Sequence, residues 1–250
     1  MKIAVCVSHV PDTATRVKVG SDGKSIDPSG VTYVINPYDE FAVEEALKTK
    51  ESVGGDTQVV VLSVGPQQNK ETIRKALAMG ADSGILLKDD NPRDSMGIAK
   101  ALADEIKNQG AELVFFGKQS VDYDNSITGQ LTSELLGYSC VAVVVSFKLA
   151  GNKITAEREI EGGKEVVESE LPAIITCQKG LNEPRYASLK GIMAAKKKVI
   201  EEKPVAVSEP YTEILKLHLP SPKKAGRIIG TDSSAVPELV KLLREEAKVI

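Results

Sequence analysis

Gln58-Val59-Val60-Val61-Leu62-Ser63-Val64-Gly65-Pro66 is followed by a helical pattern over Asn69–Met79, a stop at Gly80, and then Gly84-Ile85-Leu86-Leu87. An apolar strand, a helix and a second apolar strand thus follow one another within thirty residues. A strand that is apolar at nearly every position is buried on both faces, which is the mark of a parallel sheet covered by helices. The same alternation extends outward in both directions. Upstream lie a short apolar run at Ile3–Ser8, a β-branched stretch at Val31–Ile35, and a helix over Tyr38–Lys50. Asn36 suits that helix as its N-cap, Pro37 its first position, and Asp39 and Glu40 its positive end. Downstream lie a helix over Ser95–Gln109, a strand over Leu113–Phe116 and a helix from about Ser126 to Leu136, stopped by Gly137. The prediction is an α/β fold with a Rossmann-like parallel sheet and helices on both faces.

Beyond residue 140 the pattern changes. Val141–Leu149, Lys153–Ile160 and Glu165–Glu170 read as strands joined at Gly151-Asn152 and Gly162-Gly163. Such short connections predict an antiparallel β meander. Leu171–Thr176 reads as a strand returning to the main sheet. From Gly180 onward the chain reads as irregular and rich in Pro and Lys, until a final helix over about Pro237–Ala247. The stretch from about 199 to 232 has too few periodic apolar positions for a core of its own. We therefore divide the chain into an α/β domain over 1–198 and an extended C-terminal arm and helix over 199–250, packed on a partner.

Composition removes several function classes. The 250 residues are 42% hydrophobic and 27% charged, with a net charge of -3. That charge favours neither nucleic acid nor an anionic membrane surface. The absence of Trp and the scarcity of aromatics argue against a base-stacking surface. No apolar run reaches the roughly 18 residues of a membrane span. Ser8, His9 and Asp12 interrupt the apolar start too early for a secretory leader, so the expectation is a cytoplasmic protein. Cys6, Cys140 and Cys177 sit in strand-like stretches and read as buried reduced thiols. With no CxxC and only His9 and His218, no metal site is expected.

In such a sheet, ligands sit beyond the carboxyl ends of the strands. That points to Cys6–Val10, Val64–Pro66 and Gly117–Thr128. There is no Walker A or GxGxxG phosphate loop and no Ser/His/Asp arrangement, so the architecture binds nucleotides without an evident catalyst. The richest segment is Gly117-Lys118-Gln119-Ser120-Val121-Asp122-Tyr123-Asp124-Asn125-Ser126-Ile127-Thr128-Gly129-Gln130. It leaves a buried strand and opens a helix, whose first N–H groups, with Ser126 and Thr128, could hold a phosphate. Asp122 and Asp124 could accept ribose hydroxyls. A polar loop with an Asp N-cap fits the same residues, and the residues alone leave both open.

A second group of segments carries a resemblance. Leu171-Pro172-Ala173 is followed by Leu181-Asn182-Glu183-Pro184-Arg185-Tyr186 and then Ile192-Met193-Ala194-Ala195-Lys196-Lys197-Lys198. With Asn36-Pro37, Glu44-Glu45-Ala46, Ala76–Asp82, Gly117-Lys118-Gln119 and Arg158-Glu159, these resemble the signature of the electron transfer flavoprotein beta subunit family. The likeness covers about residues 1–200. It implies an adenine nucleotide alpha hydrolase-like fold and a heterodimer with an alpha subunit that holds most of the FAD. It also implies a structural AMP touching Cys6, Asn36, Pro37, Tyr38, Asp39, Val64 and Gly117–Thr128, with Tyr38 leaning on the flavin edge. Thr13 stands where some members have an aromatic near the flavin. Glu159 would pair with an arginine of the alpha subunit. Pro184–Ala194 would be a recognition loop, with Arg185, Tyr186, Leu189, Ile192 and Met193 facing a partner and Leu189 as the anchor. Partners would be primary flavin dehydrogenases, such as acyl-CoA dehydrogenases, and a quinone oxidoreductase, with no bond chemistry in this chain. From the residues alone, Leu189, Ile192 and Met193 at near-helical spacing would read as core, and only the resemblance points outward. Lys196–Lys198 reads as a solvated run.

Two alternatives stand beside this. In electron-bifurcating relatives a second FAD replaces AMP and reacts with NADH. Those tend to read Asp-Gly-Asp-Thr-Ala-Gln-Val-Gly where this chain has Asp122-Tyr123-Asp124-Asn125-Ser126-Ile127-Thr128-Gly129. Bulky Tyr123 and the Asn-x-x-Thr-Gly-Gln spelling favour the AMP type. The other alternative is an ATP-using enzyme or stress-type nucleotide binder, which would need a phosphate loop and a catalytic residue.

Overall fold

A computed structural model describes residues 1–222 and 225–250. Its centre is a nine-stranded sheet built from β1 (Lys2–Cys6), β4 (Gln58–Gly65), β5 (Ser83–Lys88), β6 (Leu113–Gly117), β7 (Ser139–Ala150), β8 (Lys153–Ile160), β9 (Gly163–Glu170), β10 (Ala173–Cys177) and β11 (Ile200–Pro204). The order is β11-β5-β4-β1-β6-β10-β7-β8-β9. Pairings from β11 through β10 to β7 are parallel, and β7-β8-β9 are antiparallel. The expected meander is therefore continuous with the main sheet. β2 (His9–Pro11) and β3 (Tyr33–Ile35) form a separate antiparallel pair. The stretch read as Val31–Ile35 is thus only three residues of strand, because its partner is a short excursion after β1.

Alternation along the strands sorts two cores. Ile3 and Val5 of β1, Val59 and Val61 of β4, and Leu113 and Phe115 of β6 point to one face. That face is covered by α1 (Pro37–Val53), α2 (Asn69–Met79) and α5 (Leu189–Lys197). Ala4, Cys6, Val60, Leu62, Val114 and Phe116 point to the other, under α3 (Ser95–Gln109). α4 (Thr128–Leu136) packs beside α3 over the ends of β7 and β10.

Two elements were not expected. The region after Gly180 contains α5, capped by the Ser188 hydroxyl, which accepts from Gly191 N–H at 3.0 Å. β11 then adds a parallel strand beside β5, starting two residues past the boundary drawn at 198. Cys6 and Cys177 are buried, but Cys140, near the start of β7 at the sheet end, is exposed. Beyond β11 the chain first lies on its own body. Asp94 accepts from the N–H groups of Tyr211 and Thr212, Arg93 donates to the Ala206 carbonyl, and Leu217 N–H donates to Gly23. The last helix, α6 (Val236–Glu245), is amphipathic yet buries none of its residues. Among the described residues no helix is long and apolar enough to cross a membrane.

Candidate functional site

The carboxyl ends of β1, β4 and β6 lie side by side, as the parallel order requires, and one polar knot ties those of β1 and β6 to α1. Asp39, in the first turn of α1, is 4% exposed. Its carboxylate accepts from Ser8 N–H at 2.7 Å, Asn36 Nδ2 at 2.9 Å and Gly117 N–H at 3.1 Å. Burial lifts this carboxyl to about 7, against the downward pull of those three donors. Gly117 has to be glycine: a Cβ there would overlap Asp39 and the Tyr38 backbone. Asn36 occupies the N-cap position but does not cap the helix with its side chain. Instead its amide donates to the Gln119 carbonyl at 2.8 Å and its oxygen accepts from Val121 N–H at 3.1 Å. The knot thus shapes the start of the 117–128 loop.

The rest of that loop is held by its own side chains. Lys118 N–H donates to the Cys177 carbonyl at 2.9 Å, and its ammonium lies 5.7 Å from the Tyr38 ring centre. Gln119 donates to Asp124 at 2.5 Å and accepts from Ser126 at 3.0 Å. Asp124 and Ser126 both take φ of 53°, an uncommon conformation for residues other than glycine. That is why α4 starts at Thr128 and not at Ser126. Asp122 is taken up by Tyr123 N–H and Asp124 by Gln119, so neither caps α4, and Ile127 at the cap position supplies no side-chain bond. The first turn of α4 therefore keeps its N–H groups free for an external acceptor. Tyr123 and Ile127 are exposed over the loop. A cavity of about 240 Å³ lined by Pro11, Asp12, Thr13, Val121 and Asp122 opens beside it. Val64, at the carboxyl end of β4, is tied to α2, since its carbonyl accepts from Asn69 at 3.0 Å. Cys6 is buried, and burial and then Asp39 push its thiol well above the ordinary value, which disfavours the thiolate.

A second group lies away from this loop. Leu189 is 83% exposed, Met193 59% and Tyr186 99%, with Ile192 half-exposed beside them on α5. The core reading of these apolar residues is thereby overturned: α5 buries only Ala195 and turns its remaining apolar side chains outward. Arg74 holds its C-terminal end by donating to the Ala195 carbonyl at 2.6 Å. Gly191 lets α5 lie against α2, since a Cβ would overlap the Ala78 carbonyl. Lys196 and Lys197 are exposed as expected, whereas Lys198 is bound to the Ala81 carbonyl.

Arg185 does not reach outward with these residues. Its guanidinium is engaged by Glu44 and Glu51 of α1, and Asn182 donates to Glu45 and to the Phe41 carbonyl. Burial raises the Glu45 pKa. Glu44, Glu45 and Asn182 were not singled out as site residues. Their signal was present in the sequence: two adjacent acids inside the buried stripe Ala42, Val43, Ala46 and Leu47 need partners. Glu159 lies apart from both groups, exposed on β8, and accepts from Gln178 at 2.8 Å.

The electron transfer flavoprotein domain family matches residues 24–208, which include Asn36, Asp39, the 117–128 loop and the α5 segment. The chain belongs to the electron transfer flavoprotein family, in its beta-subunit line. It is 43% identical over 251 residues to the electron transfer flavoprotein subunit beta of Bradyrhizobium diazoefficiens, with all of both chains covered. It is 36% identical over 261 residues to that of Bacillus subtilis, again with both chains fully covered. The mitochondrial beta subunit of Oryza sativa subsp. japonica is 40% identical over 259 residues across the whole of each. Among electron transfer flavoprotein beta chains, then, this one keeps a parallel α/β body, a meander continuous with it, and a second edge strand after the α5 segment.

Proposed function

We propose that this chain pairs with an electron transfer flavoprotein alpha subunit in the cytoplasm, holds one structural AMP, helps to seat the FAD of the alpha subunit, and docks flavin dehydrogenases. The observation that carries the AMP reading is the loop at 117–128. It is tied to Asn36 and Asp39 and ends at an α4 first turn with no side-chain cap. Free N–H groups at a helix start suit a phosphate. Asp122 and Asp124 in the loop suit ribose hydroxyls, Tyr38 suits a flavin edge, and Thr13 lines the adjoining cavity. The flavin, when bound, supplies the electron chemistry. This chain's residues orient it and present a surface to its donors. Electrons would enter from a primary dehydrogenase, such as an acyl-CoA dehydrogenase, and leave toward a quinone oxidoreductase.

The exposed apolar group Tyr186, Leu189, Ile192 and Met193 supports the docking role, because side chains of this kind clustered on a held helix suit a protein anchor. Glu159, exposed on β8, suits an ion pair with an arginine of the alpha subunit. The unburied apolar stripe of α6 suits the same subunit. Acid extraction of the purified heterodimer followed by chromatography tests the reading. About one AMP and one FAD per heterodimer is expected. Two FAD and no AMP would replace it with the bifurcating type, and ATP turnover by the pure chain would replace it with an enzyme.

A further inference from the structure

The segment that leads into α5 is bound to its own chain by an ionic clasp of one guanidinium and two carboxylates. Arg185 Nε and Nη2 donate to the two oxygens of Glu44 at 2.8 and 2.9 Å. Nη1 and Nη2 donate to the two oxygens of Glu51 at 2.6 and 3.2 Å. The Arg185 backbone N–H also donates to Glu44, at 3.1 Å. The Glu44 side chain is 6% exposed, so its charge has given up its water and depends on this partner. Three residues earlier, Asn182 clips the same segment to α1 through Glu45 and the Phe41 carbonyl. The adjacent Tyr186 stays exposed, and Leu189, four residues after Arg185, opens α5.

An arginine among exposed apolar residues is commonly a direct contact at an interface. Here its donors are already committed. We infer that Arg185 is a positioning residue for dehydrogenase docking: it acts through Leu189 by pinning residues 182–186 to α1, and makes no contact of its own with the partner. The inference rests on the docking reading above. Only a guanidinium presents the planar fork that grips two carboxylates at once, so lysine cannot fill the role. Without the clasp the segment is competent for only a fraction of the time, and apparent affinity falls by that fraction.

The test uses the cofactor-loaded heterodimer and an acyl-CoA dehydrogenase from which the wild type accepts electrons, reading KM for the heterodimer and kcat. Wild type, Leu189→Ala, Arg185→Met and the double variant form a cycle, with Arg185→Lys alongside. If the competent fraction drops to about a tenth, Arg185→Met raises KM about tenfold with kcat unchanged. Arg185→Lys recovers only part of this. In the Leu189→Ala background Arg185→Met adds little, because both act on one contact. Independent, multiplying losses would show Arg185 touching the partner itself and would overturn the inference, as would a wild-type KM for Arg185→Met. Should Leu189→Ala leave KM unchanged, the docking reading itself falls, which is a distinct outcome. If Arg185→Met does not fold, Glu51→Gln removes only the exposed half of the clasp. It is expected to raise KM about two- to threefold by the same route, and no rise overturns the inference.

Discussion

Asp39→Asn separates the two forces that meet at the strand ends. In the wild type a buried carboxyl faces three N–H donors and no cation, and burial outweighs the donors, lifting its pKa from the ordinary value to about 7. The folded chain therefore holds a proton that the unfolded chain has already released. The contribution of Asp39 to stability is complete below about pH 4 and is lost as pH rises through 7. The steepest loss is about 1.4 kcal/mol per pH unit, or about 2 kcal/mol between pH 5 and 7. At this chain size that is about 4 to 8 °C in melting temperature. Asn is neutral throughout, although one side of its amide must face a donor: Ser8 N–H if the oxygen stays with Asn36 and Gly117, or those two if it is reversed. The variant should therefore melt slightly below the wild type at pH 5 and overtake it by pH 7.5. Of the titratable groups beside Asp39, Cys6 stays protonated over this range, since burial pushes its thiol up. Asp122 is the charged neighbour that raises Asp39 further. Parallel melts of the two heterodimers from pH 5 to 8 decide the matter. A wild type that gains on the variant as pH rises would refute the reasoning, because the three donors would then outweigh burial.

Other outcomes follow from single contacts. Gly117→Ala drives a methyl into Asp39 and the Tyr38 backbone and should strip the heterodimer of its nucleotide, measured by extraction, while partner docking through α5 persists. Gly191→Ala pushes α5 off the Ala78 carbonyl. It should raise KM for the dehydrogenase several-fold without loss of nucleotide, and parallel loss of both would count against separate sites. Hydrogen exchange should show residues beyond Leu217 protected only in the heterodimer, because α6 buries nothing within its own chain. Equal protection in the isolated chain would remove the partner-packing role of the arm.

The parallel sheet was readable because its strands are apolar on both faces, as in Val59–Leu62, and because glycines close the helices between them. α5 was not, since its apolar residues face solvent and leave no buried stripe to detect. β11 was hidden by its own spelling, Ile-Glu-Glu-Lys-Pro, with only Ile200 buried, which an edge strand tolerates and a propensity reading rejects. Cys140 misled because an apolar neighbourhood in sequence ends at a sheet margin in space. At the loop Asn36 and Asp39 stood out for reasons that their contacts change. Asn36 and Asp39 read as a cap and a dipole partner, yet their side chains bind strand ends and the 117–121 loop. That needs contacts 80 or so residues apart, beyond any local pattern. Arg185 was visible as a residue of note, but Glu44 and Glu51, which decide its job, lie far upstream.

The position of β11 sets how the α5 segment behaves when something binds it. Residues 178–199 leave β10 and must reach the far margin of the sheet, five strand spacings away, or about 24 Å. They do so as a strap over α1 and α2, fastened at both ends to one sheet and pinned between by Arg185 and Arg74. Such a strap has little configurational freedom left to surrender on association, so encounter requires no folding step and can be fast. Its apolar face is also small, a few side chains, so a partner docked as proposed would be held lightly and would dissociate quickly. A carrier that must leave each donor before meeting its acceptor is served by that combination: rapid arrival, brief residence, and selectivity from shape and not from tightness.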